Sequence, residues 1–221
     1  MWDSNFAISI VPDLVDAMWI TLGATVTAFI VAALLGLVWT VCKRSNFKPL
    51  LFLVTAFVEF IRTTPLLVQL FFIFYVLPEF GISLTPFVAG VIGLGIHYST
   101  YLSEVYRSGI EAVPKGQWEA GTALNFTKRQ TWFRIILPQA LPPVFPMLGN
   151  YFIVMFKETP ILSAITLVEM MQTAKIIGSS SFKYIEAFTI VGLLFFLLSY
   201  PASLVVRYLE NKTANRFNRA A

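Results

Sequence analysis

The sequence predicts an all-α integral membrane protein, a bundle of five transmembrane helices forming a single domain over residues 1–221. Three observations predict it. Of 221 residues, 57% are hydrophobic and only 13% charged, and the mean hydropathy is +0.74. A soluble domain carries about a quarter charged residues, because its wet surface needs them. Five apolar segments reach the roughly 20 residues that a helix needs to cross a hydrocarbon core. The basic residues fall in the gaps between these segments, as they do in cytoplasmic loops. The net charge of +4 is therefore no sign of nucleic-acid binding.

Residues 1–17 hold Asp3, Asp13 and Asp16 and no basic residue. The opening Met1-Trp2-Asp3-Ser4 lacks the positive n-region of a cleaved signal peptide, so the first span is expected to act as an uncleaved insertion signal. That span, about 18–41, carries no charge and meets a basic stop at Lys43, Arg44 and Lys48. Cys42 is the single cysteine, which leaves neither a disulfide framework nor a thiolate metal site. The second span, about 49–77, is long enough to tilt or kink and contains Glu59, Arg62 and Pro65. Residues 78–81 make a tight connection to the third, about 85–105. The fourth, about 141–167, is interrupted at Lys157-Glu158-Thr159-Pro160. A loop at Gly178-Ser179-Ser180-Ser181 leads to the fifth, about 185–208, with Pro201 inside it. With Lys212, Arg216 and Arg219 in the tail, an odd number of spans places the N-terminus outside and the C-terminus inside. Lys175 and Lys183 run against that rule.

Between spans three and four lies a polar unit, cytoplasmic in this orientation, with its core at about 111–138. Pro114 is expected at the first position of a helix, where its missing N–H costs nothing. That helix runs through Glu119 to Asn125, a residue suited to the left-handed conformation that closes helices. Thr127 starts a second helix, with Gln130 three residues on completing a capping box. Pro138 is expected to stop it. A solvated loop snorkelling to lipid headgroups is one reading. A docking element for a cytoplasmic partner is the sharper one, and a DNA-reading helix-turn-helix is disfavoured by the tether at both ends.

This unit resembles the coupling motif of ABC-importer permeases: Glu119, Ala120 and Gly121, then Asn125 where the motif has Gly, then Ile135, Leu137 and Pro138. "FIRTTPLLVQLFF" (60–72), "YLSEVYRSGIEAVPKGQWEAG" (101–121), "LPQAL" (137–141) and "KETPIL" (157–162) are similar to segments of the polar amino-acid, histidine/glutamine-type, permeases. Thr63 replaces a Gly there, and Pro160 and Ile161 depart from the usual Lys-Asp-Thr-Ser-Leu. A fainter likeness is to ectoine and hydroxyectoine importers. The resemblance implies a type I importer permease of five helices in a bacterial inner membrane. It also implies a cytoplasmic ATPase dimer, a second permease subunit (homo- or heterotypic) and an extracytoplasmic binding protein that delivers a zwitterionic solute.

The chain has no Gly-x-x-x-x-Gly-Lys-Ser/Thr to cradle phosphates, so ATP hydrolysis is expected on a separate subunit and no cofactor here. Ionisable residues inside spans face a cavity or a partner. Glu59 and Arg62, three apart, are expected first as a pair. Pro65 weakens a helix where Arg62, Thr64 and Gln69 gather, and Lys157, Glu158 and Thr159 repeat the pattern before Pro160. Interrupted helices of this kind build solute sites. Lys157 and Glu158 are either solute contacts or an interface pair. Adjacent residues on a regular helix point about 100° apart, so at least one is expected to face the cavity while the other packs. Glu104 and Arg107 are expected as an ion pair, and His97, the only histidine, as a hydrogen-bonded helix residue rather than a metal ligand. A self-contained secondary transporter or channel is the alternative, and it predicts internal repeats and no coupling helices.

Overall fold

The chain is described from a computed structural model covering residues 2–218, so Met1 and the tail positions from Arg219 to Ala221 lie outside the described residues. Every regular element among them is a helix. A short α1 (Ser4–Ser9) precedes α2 (Val11–Lys43), which starts earlier than the apolar run alone predicts. Asp3 caps α1 and also accepts from Lys183 at 2.6 Å, which holds its carboxyl below the usual carboxylate range, with help from the Phe6 N–H. Glu186 is buried and accepts the Asp3 N–H at 2.9 Å. Lys175 donates to Ser163 at 2.7 Å. Both lysines that oppose the charge rule are thus pinned to the protein.

The second predicted span is not a single rod. It divides into α3 (Lys48–Thr63) and α4 (Leu66–Phe71), which continues through a π turn and a 3-10 turn to Phe80. The two halves meet at 105°. Thr64 and Pro65 are extended between them, because Pro65 has no N–H for the ladder and disfavours helical backbone before it.

Helix α5 (Pro86–Glu111) is the central element, packed along α2, and most of its residues are buried. Small α2 residues at four-residue spacing, Ala24, Ala28, Ala32 and Gly36, form the contact seam. A Cβ on Gly36 would sit 3.1 Å from the Ser99 carbonyl oxygen and 3.2 Å from the Ser103 amide nitrogen, so only glycine lets the backbones come this close. Trp39 Nε1 donates to Ser99 Oγ at 2.8 Å and Thr40 to the Ser103 carbonyl at 3.1 Å. At the end near the polar unit, Glu104 pairs with Lys43 at 2.9 Å and with Arg107 at 2.7 Å. Two described helices, α2 and Tyr184–Lys212, are long and apolar enough to cross a membrane, and four spans result if each bent pair counts as one. Helix α5, with its Ser, Thr, Tyr and His among protein neighbours, has no need of a lipid-like surface.

In the polar unit, α6 (Lys115–Ala123) begins one residue after Pro114, and Asn125 has φ 53° as its sequence role requires. Helix α7 (Lys128–Thr131) carries the complete capping box of Thr127 and Gln130. It does not stop at Pro138. Residues Trp132–Ile136 wind as a π-helix, with the Leu137 N–H donating to the Trp132 carbonyl, and the chain runs on into α8 (Leu137–Glu158). That slip to five-residue spacing carries the ladder past a proline that cannot donate. Trp118 and Trp132 meet edge-to-face at 5.1 Å, in a cluster with Ile110, Val113, Ile135, Ile136 and Ala140 that joins the unit to α5 and α8. Higher up, Val105, Tyr106 and Val144 of the same two helices share the main core.

Helix α8 gives way at Thr159 to a 3-10 segment, Thr159–Ile165. Residues 178–181 are the last turns of α9 (Met170–Ser181) rather than a loop, because the chain turns one residue later, at Phe182 with φ 56°. Helix α10 (Tyr184–Asn218) then continues past Pro201.

Candidate functional site

The two helix breaks and the middle of α5 meet at one cavity of about 690 Å³. Its wall includes Arg62 and Thr64 from the first break, His97 and Tyr101 from α5, and Lys157 and Glu158 from the second. Arg62 is bonded to Glu59 at 3.3 Å, the expected pair, and its guanidinium lies 5.5 Å from the centre of the Tyr101 ring. Glu158 accepts from the Tyr98 hydroxyl at 2.5 Å. Lys157 has no ion-pair partner among the described residues. One wall therefore offers fixed charges of both signs.

Lys157 and Glu158 both line the cavity, contrary to the expectation that one packs away. The α-helix ends at Glu158, whose φ and ψ of −94° and −7° start the tighter 3-10 winding, so the 100° separation of a regular helix does not apply. Thr159 is fully buried instead of facing solute, and its hydroxyl donates to the Phe156 carbonyl at 2.7 Å. That is the carbonyl Pro160 deprives of its usual N–H, so the break is closed by the neighbouring threonine. Gln69 sits behind the wall. Its Nε2 donates to the Ile61 carbonyl at 2.7 Å and to Thr64 Oγ1 at 2.7 Å, while its Oε1 lies 3.1 Å from His97 Nδ1. Tyr101 and His97 escaped sequence reasoning as wall residues, since aromatic residues in an apolar helix read as packing. Their four-residue spacing, which puts both on one face of α5, was the available signal.

The second site is the surface of the polar unit. Glu119, Ala120, Asn125 and Pro138 are exposed. Ile135 is half-buried in the unit's core, and Leu137 is half-buried beside a groove shared with α2 residues such as Leu37 and Thr40. Gly121 is buried and does not belong to the exposed face: a Cβ there would lie 2.7 Å from Thr131 Cγ2. Glu119 has no ion-pair partner among the described residues. An exposed acid and small side chains on a short helix, braced by two tryptophans, suit a protein cleft.

The family model for a binding-protein-dependent transport system inner membrane component matches residues 28–215. The chain belongs to that family. It is 44% identical over 214 residues to a probable amino-acid ABC transporter permease protein of Sinorhizobium fredii, covering 95% of this chain and 93% of the relative. It is 38% identical over 208 residues to the L-cystine transport system permease protein TcyB of Bacillus subtilis, covering 92% and 89%. Its fold matches the crystal structure of an amino acid ABC transporter with histidines at a TM-score of 0.91 and 35% identity, over 96% of this chain and 99% of that one. A chain of the inward-facing MetNI methionine transporter, 17% identical with a TM-score of 0.65, shares the fold.

Proposed function

We propose that this chain is the permease subunit of an ATP-driven importer for a polar amino acid. A binding protein outside delivers the solute, the cavity at the two helix breaks passes it inward, and α6 docks on a separate cytoplasmic ATPase. A second permease subunit completes the pathway. The observation that carries the reading is the cavity wall, where Arg62 and Lys157 can hold a carboxylate and Glu158 an ammonium group. The relatives named as amino-acid permeases support the solute class, and neither the ectoine likeness nor a self-contained transporter finds support among them.

The test is uptake by a Glu158→Gln variant across solute concentrations, with basal ATPase activity of the assembled transporter as control. A hydrogen bond to a charged group contributes about 1.5–3 kcal/mol, so half-saturation should rise about tenfold or more. Unchanged uptake would remove Glu158 from the solute path and leave it as an interface residue.

A further inference from the structure

We propose that Gln69 fixes His97, the only histidine in the chain, as its Nδ1–H tautomer, and that the bare Nε2 accepts an N–H from the solute's side chain. In an unbroken helix the Ile61 carbonyl would accept from residue 65, but proline has no N–H to give. Gln69 Nε2 takes that carbonyl at 2.7 Å, and also the Thr64 carbonyl at 3.1 Å and Thr64 Oγ1 at 2.7 Å. The Thr64 hydroxyl uses its own proton on the Phe60 carbonyl at 2.9 Å, so it meets Gln69 as an acceptor.

All three neighbours of the Gln69 amide nitrogen are therefore acceptors. Turning the amide over would set its oxygen against all three, which fixes the orientation. Oε1 must then be the atom facing His97 Nδ1, and an oxygen with only lone pairs requires a proton on that nitrogen. His97 Nε2 has no protein partner among the described residues. No buried side-chain nitrogen or oxygen among them lacks a hydrogen bond, so Nε2 is not sealed in the protein. His97 lines the cavity and is 9% exposed, and the opening of Nε2 is assigned to that space.

The solute class follows from what the wall has left to offer, and this step rests on the function proposed above. Arg62 and Lys157 can only donate. Glu158 already receives the Tyr98 hydroxyl on one oxygen, and the Thr64 hydroxyl is committed on both sides. An amino acid would place its carboxylate on the two cations and its ammonium on Glu158. Nε2 then remains as an uncharged acceptor. It selects a side chain bearing an N–H, amide or basic, over an apolar one of similar size.

A single histidine gives a single imidazole, so the test can be read directly. The full chain, labelled with 15N-histidine and placed in lipid nanodiscs, should show at neutral pH one proton-bearing nitrogen, Nδ1, and one bare nitrogen, Nε2. Gln69→Leu should release this preference and yield a mixture of tautomers. A proton on Nε2 in the wild-type chain, alone or with one on Nδ1, overturns the lock without needing any variant to fold. Adding L-glutamine or L-arginine should move the Nε2 resonance toward the hydrogen-bonded position, and L-norvaline should not. Equal shifts with all three overturn the side-chain assignment. If no amino acid shifts Nε2 and Glu158→Gln also leaves uptake intact, the solute reading of the cavity has failed while the tautomer stands.

Discussion

Gly121 shows how a motif residue can be needed for a reason other than the one its position invites. In the coupling motif it looks like a gap for a partner's side chain. The fold turns it inward, against Thr131, where alanine would place its Cβ 2.7 Å from Cγ2 and 2.8 Å from Oγ1. Overpacking of this kind costs about 1–3 kcal/mol and here would pry α6 from α7. Gly121→Ala should keep the chain inserted and the ATPase bound or active, yet uncouple hydrolysis from uptake. Thr131→Ala in the same chain removes both of the closest atoms and leaves a contact of 3.3 Å to Cβ. The double variant should recover much of the uptake. A single variant that transports normally, or a double as inactive as the single, would refute the steric lock. Glu119, by contrast, stands on the outer face and is the proposed contact for the ATPase.

At the scale of elements, the breaks were legible and their consequences were not. Pro65 and Pro160 announce lost N–H groups, and Thr127 with Gln130 announces a cap, because each acts through its own backbone neighbourhood. The 105° turn after Thr63 is bridged by Gln69, five residues past Thr64, whose side chain reaches back across the gap, which no local rule contains. The passage through Pro138 was missed because a π turn shares its residue types with an α turn. The shared wall of Lys157 and Glu158 needed the change of helix type at position 158. If Gln69 holds the bend, Pro65→Ala alone should leave it in place, since the amide still bridges Ile61 and Thr64. Pro65→Ala with Gln69→Ala should let α3 and α4 merge and abolish uptake. In a Cys42→Ser background, nitroxide labels at exposed Leu53 and Val76 should then move apart in the double variant only. Straightening in the single variant would assign the bend to proline alone.

For the whole molecule, the acidic first segment and the basic tail predict an orientation, with the N-terminus outside and the C-terminus inside. A reporter active only in the cytoplasm should be silent when fused ahead of Asp3 and active when fused after Ala221. The reverse result would invert the chain and put α6 on the wrong side for an ATPase. In the expected orientation, two helices run from the polar unit to the cavity. Helix α5 carries His97 and Tyr101 and ends at Glu111, and α8 leaves the unit at Leu137 and ends in Glu158. Their shared clusters with Trp118, Trp132 and Tyr106 clamp them together at the base. Arg62 stands outside this pair, on α3. The arrangement is a pair of stiff levers facing a separate post. From His97 to Glu111 is about 21 Å of helix at 1.5 Å per residue, so a 5° tilt at the base swings the far end by about 2 Å. A stroke of that size, small at the proposed ATPase contact, is enough to part a carboxylate from a cation and let go of whatever the proposed site had held between them.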